Sequence, residues 1–177
     1  MSRTKKLTLS ALIAAMCVIC LALGAAIPRV SLSLAALAGI FPAVIVLACG
    51  FGWAAACSAS AAALAILLLP EKTGAVWFLC FFGHYPIWKA LIESLQTRVK
   101  KPWLGWLLKL LGFAASMLVL NFLFSRLFAA AIPYHFTERA AGPLILGVAL
   151  LAAFLVYDAA FSILIGWFRI KILPKIR

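Results

Sequence analysis

Long apolar runs separated by short polar breaks make up almost all of the 177 residues. The runs are continuous and rich in Ala and Leu, whereas the strands of a membrane barrel alternate apolar and polar residues. A helix needs about 20 apolar residues to cross a bilayer. The pattern therefore predicts an all-α membrane protein, a single transmembrane domain over residues 1–177 built as a bundle of about six transmembrane helices. The predicted spans are 7–27, 34–49, 53–69, 75–95, 103–131 and 143–168.

The first three runs leave alternatives open. Basic residues before the first run and small residues after it are typical of a secretory signal. The run is longer than a usual signal core, however, and the remainder of the chain is also apolar, so we interpret it as a retained span. The second and third runs are short, and a bundle with four or five full spans stays possible.

Composition supports lipid as the surrounding solvent. The chain is 67% hydrophobic with a mean hydropathy of +1.18, and only 11% of its residues are charged. Soluble domains are roughly 45–50% apolar. With four acidic residues in the chain, there is too little polar material for a soluble domain.

The net charge of +12 is distributed as a topology signal. Basic residues stand in short clusters between runs rather than in one patch, which argues against nucleic acid as a partner. With both termini cytoplasmic, the inner segments hold ten basic residues and the outer loops three, as the positive-inside rule requires. The inner ten are Arg3, Lys5, Lys6, Arg98, Lys100, Lys101, Arg169, Lys171, Lys175 and Arg177; the outer three are Arg29, Lys72 and Arg139. The location predicted is the plasma membrane of a bacterium, with multiple passes.

Small residues recur four positions apart, beginning with Ala11 and Ala15 in the first span. This spacing lets the backbones of two helices approach closely. Two interpretations stay open: packing within the bundle, or a docking face for a separate membrane partner. Further examples are Ala22 with Ala26, Ala35 with Gly39, and Ala55 with Ala59 and Ala63.

The fourth run carries the densest set of polar and aromatic residues. Pro86 predicts a kink near His84, about 15 Å deep at 1.5 Å per residue, where ionisable groups are costly and often functional. A satisfied interhelical hydrogen bond is the alternative for His84. Beyond the proline, an apolar stripe and a polar stripe predict an amphipathic helix at the interface. We therefore expect Lys89 and Glu93 to be interfacial.

Asp158 is the acid that lies deep inside a span, in the middle of the sixth run. An unpaired carboxylate there costs roughly 2.5–3.5 kcal/mol, so it needs a partner or a proton. His84 and Lys89 are the candidates by depth. A structural ion pair is favoured, and a ligand or proton site is the alternative.

Polar residues in the outer half of the fifth run predict an outward-opening pocket. Asn121 and Ser125 share a helix face, at the depth of Trp77 and Phe81. Arg126 either joins this pocket or extends its guanidinium group to the outer interface.

No pattern indicates catalysis. The chain has no H-E-x-x-H, P-loop or G-x-S-x-G motif, so we predict a non-enzyme with no catalytic residue, metal or cofactor.

Cys17 and Cys20 form a C-x-x-C, but no second pair completes a metal site. Buried cysteines usually act as small hydrophobic residues, and we favour that over a redox role.

The opening stretch KLTLSALIAA, residues 6–15, resembles the N-terminus of the substrate-binding S components of energy-coupling factor (ECF) transporters. Length, span number and the lack of a nucleotide site are similar too. The resemblance implies capture of a vitamin or similar small nutrient from outside. It further implies partners, namely a transmembrane coupling subunit that docks on Ala11 and Ala15, and two ATPases.

In that family the pocket is formed by the outer halves of the last three spans and the outer loops. The resemblance therefore implies ligand-binding roles for Trp77, Phe81, His84, Asn121, Arg126 and Tyr157. The N-terminal metal sites of nickel and cobalt relatives are missing, which argues against a metal as substrate.

Two rival interpretations remain. One is a membrane scaffold similar to the rod-shape protein MreD, which carries no ligand and would lack a defined pocket. The other is a membrane enzyme acting on lipids, which the absence of a catalytic cluster disfavours.

Overall fold

The computed structural model describes residues 1–99, 102–127 and 142–171. Within these ranges the chain is helical and contains no strand. Five segments are long and apolar enough to cross a membrane, and Leu151–Trp167 is a shorter apolar helical stretch. The predicted fold class, an all-α membrane bundle, is confirmed, while the side of the membrane that holds the termini stays a prediction. The helices are α1 Arg3–Ala26, α2 Ser31–Ala38, α3 Phe41–Cys49, α4 Phe51–Leu68, α5 Thr73–Trp77, α6 Tyr85–Val99, α7 Pro102–Leu127 and α8 Gly142–Lys171, with a π-helical segment at Phe78–Phe82 between α5 and α6.

Helix α1 begins where the Ser2 hydroxyl accepts a hydrogen bond from the Lys5 backbone N–H at 3.3 Å, which satisfies one of the free donors of the first turn. One face of α1 is buried against α2 and α4, at positions three and four apart: Ser10, Ile13, Ala14, Cys17, Leu21 and Gly24. Because the Cys57 thiol of α4 donates to the Ser10 carbonyl oxygen at 3.4 Å, the starts of α1 and α4 lie at the same end of the bundle.

The second span is broken in the middle, unlike the continuous run expected for residues 34–49. Helix α2 ends at Ala38 and α3 begins at Phe41. A Cβ atom on Gly39 would lie 2.7 Å from the Phe82 carbonyl oxygen, so glycine allows the π-helical segment to pack against this break. Pro42 is the second residue of α3, where its missing N–H has no helical partner to lose.

The turn between the second and third spans is tighter than expected for residues 50–52. Gly50 alone separates α3 from α4, and its φ of +97° is in the region that glycine adopts without strain. The third span consequently begins at Phe51 rather than at residue 53.

The fourth span is interrupted just upstream of Pro86, at Gly83 and His84. The Gly83 N–H donates to the Phe78 carbonyl oxygen, five residues back, at 2.7 Å, which defines a π-turn. Pro86 is the second residue of α6. Because its ring would clash with a helical carbonyl four residues back, the break lies at Gly83 and His84, where the kink was predicted. The break frees the Gly83 carbonyl oxygen, which accepts a hydrogen bond from the Ser58 hydroxyl at 2.9 Å.

Helices α6, α7 and α8 complete the bundle. The Trp88 indole N–H donates to the Leu108 carbonyl oxygen at 3.3 Å, and Gly112 leaves room for that indole, since a Cβ there would lie 2.2 Å from its nitrogen. Helix α8 contributes Phe154 and Phe161 to the core. The fifth span was predicted to end at residue 131, and the part beyond Leu127 lies outside the described residues.

Candidate functional site

Three helices meet at a network of buried charges centred on Asp158 of α8. Its carboxylate oxygen Oδ1 accepts hydrogen bonds from the Lys89 ammonium and the Tyr85 hydroxyl, both on α6. The other oxygen, Oδ2, lies 3.1 Å from the Lys109 ammonium of α7. Lys89 also donates to the Ser162 hydroxyl at 2.5 Å and to the Asp158 backbone carbonyl at 3.1 Å. The Asp158 carboxylate therefore has three side-chain donors, and Ser162 provides a further acceptor for Lys89.

Glu93 completes the network from its exposed side. Its carboxylate lies 3.8 Å from the Lys89 ammonium and 4.0 Å from that of Lys109, and its side chain is 48% exposed. Lys89, by contrast, is 0% exposed and Asp158 only 5%. Of the two partners proposed for Asp158, the structure places Lys89 in contact with it.

Lys89 lies inside the bundle as a buried charge paired with Asp158, rather than on an exposed polar face of α6. On α6, Tyr85, Lys89 and Ile92 are buried, whereas Glu93 of the polar stripe and Leu91 and Leu95 of the apolar stripe are exposed. The reason is the surrounding solvent. In a membrane the apolar face of a helix can face lipid, and charges are cheapest where they pair inside the bundle.

An aromatic cavity of about 230 Å³ lies among α2, the π-helical segment, α7 and α8. Three residues predicted to bind ligand line it: Trp77, Phe81 and Tyr157. Ser33 on α2 and Phe113 on α7 face the same space. The structure thus brings together half of the predicted ligand-binding set.

The walls of this cavity are rings in mutual contact. Phe113 stacks on Phe154 with centroids 4.5 Å apart, and Phe81 meets Phe113 edge-on at 5.7 Å. Phe82 and Tyr157 are edge-on at 5.3 Å. Such pairs each contribute about 0.5–1.5 kcal/mol beyond the area they bury, so the walls hold their shape without a ligand.

The charge network lies directly behind this wall. The Tyr85 ring lies 5.4 Å from both Phe81 and Tyr157, and its hydroxyl reaches Asp158. Tyr157 precedes Asp158 on α8, yet its own hydroxyl oxygen is buried and has no hydrogen-bond partner among the described residues. The cavity is therefore separated from the ion pairs by one layer of tyrosine.

The other three predicted ligand-binding residues are not placed in this cavity. His84 is exposed at the helix break and lines a different space of about 480 Å³, shared with Trp88 and Gly112 between α6 and α7. Asn121 and Arg126 belong to α7, and their side chains lie outside the described part of the structure.

Sequence reasoning missed Lys109, Tyr85 and Ser162 as members of the network. Lys109 had a visible signal, because a lysine inside an apolar run is as costly as the aspartate it pairs with. Tyr85 and Ser162 had none, since isolated hydroxyl groups in membrane helices usually bond to backbone.

Some of the small residues spaced four positions apart are buried in the bundle, and others are exposed. Ala35 and Gly39 are buried against neighbouring helices. Ala11 and Ala15, predicted to dock a partner, are exposed on the outer face of α1. Ala55, Ala59 and Ala63 are exposed on α4 in the same way.

The cysteines take part in packing. The Cys17 thiol donates to the Ala38 carbonyl oxygen at 3.5 Å, and all five cysteines are free. Within residues 1–99, 102–127 and 142–171, no cluster of three His, Cys, Asp or Glu side chains is arranged to hold a metal ion.

Comparisons of the chain with family models, curated proteins and solved structures gave no match.

Proposed function

We propose that the chain is the membrane-embedded substrate-capture subunit of an ECF-type importer, taking up a vitamin or similar small nutrient. In this proposal it lies in the plasma membrane of a bacterium with both termini cytoplasmic. A transmembrane coupling subunit and two ATPases are its partners, because its sequence carries no nucleotide-binding motif.

The observation that carries the proposal is the aromatic cavity behind which the charge network lies. Small-molecule sites are concave and mostly apolar, with a few polar groups, and this cavity is lined by aromatic and aliphatic side chains with Ser33 and Tyr157. With α1 starting on the cytoplasmic side, Leu32 and Ser33 at the start of α2 lie in the outer half of the bundle. In this orientation the cavity lies in the half of the bundle nearer the side from which a nutrient arrives.

The exposed alanines support the docking step. Bundle packing and docking were the two interpretations of Ala11 and Ala15, and their exposure leaves their surface available for another helix. Small side chains permit a close approach without a large loss of side-chain entropy.

The experiment is to identify what the protein retains. The chain is purified in lipid nanodiscs from its own cells, and the released small molecules are identified by mass spectrometry. We expect one compound at close to one equivalent. Trp77→Ala and Phe81→Ala should reduce its retention about tenfold, because each removes a ring contact and leaves a gap in the wall.

Trp103→Ala is the matched control, since Trp103 is exposed on α7 and away from the cavity; it should retain the compound fully. Purified protein that holds no compound, or equal retention in the cavity variants and the wild type, would contradict capture and favour a scaffold without a ligand.

A further inference from the structure

The chemistry of the cavity wall restricts what it can hold, on the premise that the proposed capture function is right. The wall contains aromatic rings, aliphatic side chains and two hydroxyl-bearing residues, Ser33 and Tyr157. No Lys, Arg, His, Asp or Glu is among the described residues that line it. A charged ligand would thus lose its hydration without gaining a counter-ion, which is costly in a low-dielectric site.

Aromatic faces attract cations, so a cationic ligand needs separate consideration. Behind the wall stand two ammonium groups, Lys89 and Lys109, with Asp158 as their one buried carboxylate. The balancing charge, Glu93, is half-exposed and screened by water. The excess positive charge on the buried side opposes a cation, while the negative ring faces oppose an anion.

Tyr157 adds a directional element. Its hydroxyl oxygen is buried without a hydrogen-bond partner in the described structure, and the residue lines the cavity. Burying such a group without a partner is unfavourable. A ligand that places an acceptor atom against Tyr157 would remove that penalty on binding.

Size sets the final limit. A volume of about 230 Å³ is below the roughly 300–1,000 Å³ of pockets that hold drug-sized ligands. The rings of the wall contact one another, with centroids 4.5–6.5 Å apart, so the cavity presents a continuous aromatic surface against which a ligand ring can stack or pack edge-on.

We infer that the cavity selects an uncharged, planar aromatic compound of one or two fused rings that carries a hydrogen-bond acceptor for Tyr157. A carboxylate or a quaternary amine lacks a favourable charge partner in this cavity, and a saturated ring of equal size lacks the aromatic ring contacts.

Three probes of matched shape test this inference: naphthalene-2-carboxamide, naphthalene-2-carboxylate and decahydronaphthalene-2-carboxamide. Binding is measured by equilibrium dialysis of the protein in nanodiscs, with empty nanodiscs correcting for partition into lipid. We expect the aromatic amide to bind. The carboxylate should bind about 100-fold more weakly because its charge is unpaired, and the saturated amide about tenfold more weakly because it loses ring contacts.

Two tyrosine variants separate the hydroxyl groups. Tyr157→Phe should weaken binding of the aromatic amide about fivefold, because the ligand's acceptor atom loses its hydrogen-bond donor. The same substitution should raise the unfolding temperature of the ligand-free protein, because it removes a buried hydroxyl group without a partner. Tyr85→Phe is the matched control: its hydroxyl bonds to Asp158 and it does not line the cavity, so it should lower the unfolding temperature and leave amide affinity unchanged.

The inference is overturned if the carboxylate or the saturated amide binds as tightly as the aromatic amide, if the aromatic amide does not bind, or if Tyr157→Phe leaves its affinity unchanged. A retained natural compound that is charged or aliphatic would overturn it too, while leaving the capture function intact. Loss of capture itself would instead appear as a protein that retains no compound at all.

Discussion

Asp158 shows at the scale of single residues how a membrane chain accommodates charge. The cost of burying it is offset by two ammonium groups and a tyrosine hydroxyl. Each donor comes from a different turn of α6 or from α7, so the ion pairs also fix the relative positions of three helices. Breaking a buried pair is costly because the remaining charge stays uncompensated.

Asp158→Asn should destabilise the protein by roughly 3–5 kcal/mol, since it removes the buried counter-ion of Lys89 and Lys109 and leaves only the half-exposed Glu93 near both ammonium groups. The double variant Asp158→Leu with Lys89→Met should recover a large part of that loss, because both buried charges are then removed. Unfolding in mixed detergent micelles measures each difference.

Glu93→Gln is the control, and it should change stability by less than about 1 kcal/mol because Glu93 is half-exposed. If Asp158→Asn is no more harmful than Glu93→Gln, the network does not hold the helices together.

At this scale the sequence predicted part of the site. Asp158 was identified as needing a partner and Lys89 as one of two candidates, because lone charges in apolar runs are conspicuous. His84 was equally conspicuous but lies exposed on another cavity. Its position depends on the helix break at Gly83, and depth along a run does not tell which face a break will present.

At the scale of helices, α6 shows which features of an element the sequence can predict. The sequence predicted a polar and an apolar stripe, but Lys89 of the polar stripe is buried, while Leu91 and Leu95 of the apolar stripe are exposed. Amphipathic patterns give the faces of a helix without telling which solvent each face meets. The interruption at Gly39 was not predicted, because it depends on the contact of Gly39 with Phe82, whereas the interruption at Gly83 and His84 lies where Pro86 predicted a kink.

Helix α1 offers a test of docking that leaves the cavity untouched. Ala15→Trp adds a large side chain to an exposed, small-residue face, so it should abolish uptake by blocking close helix approach. Retention of the captured compound should stay at the wild-type level. Uptake is measured in whole cells with the compound identified by mass spectrometry.

Leu118→Trp on α7 is the matched control, because Leu118 is 73% exposed and lies on a different helix from the predicted docking face; uptake should persist. Normal uptake by Ala15→Trp would rule out this face of α1 as the docking surface.

At the scale of the whole molecule, the arrangement of helices makes the topology testable. Helices α1 and α4 start at the same end of the bundle, so Ser2 and Pro70 lie at opposite ends. Single cysteines are introduced as Ser2→Cys and Pro70→Cys in a background with the five native cysteines replaced by alanine. Because the basic clusters predict a cytoplasmic N-terminus, an impermeant maleimide should label Pro70→Cys in intact cells and Ser2→Cys only after permeabilisation.

Labelling of Ser2→Cys in intact cells, with Pro70→Cys protected, would invert the orientation and direct the aromatic cavity toward the cytoplasm. Such a result is incompatible with capture of an external nutrient, although the fold itself would be unaffected.

ATP-driven uptake tests the central claim most directly. The complex that purifies with the tagged chain is reconstituted into liposomes, and accumulation of the retained compound is measured with ATP or with a non-hydrolysable analogue. We predict accumulation that requires ATP hydrolysis, is lost with Trp77→Ala and persists with Trp103→Ala. A complex without ATPase subunits, or accumulation that is the same with ATP and with the analogue, would contradict the proposed function.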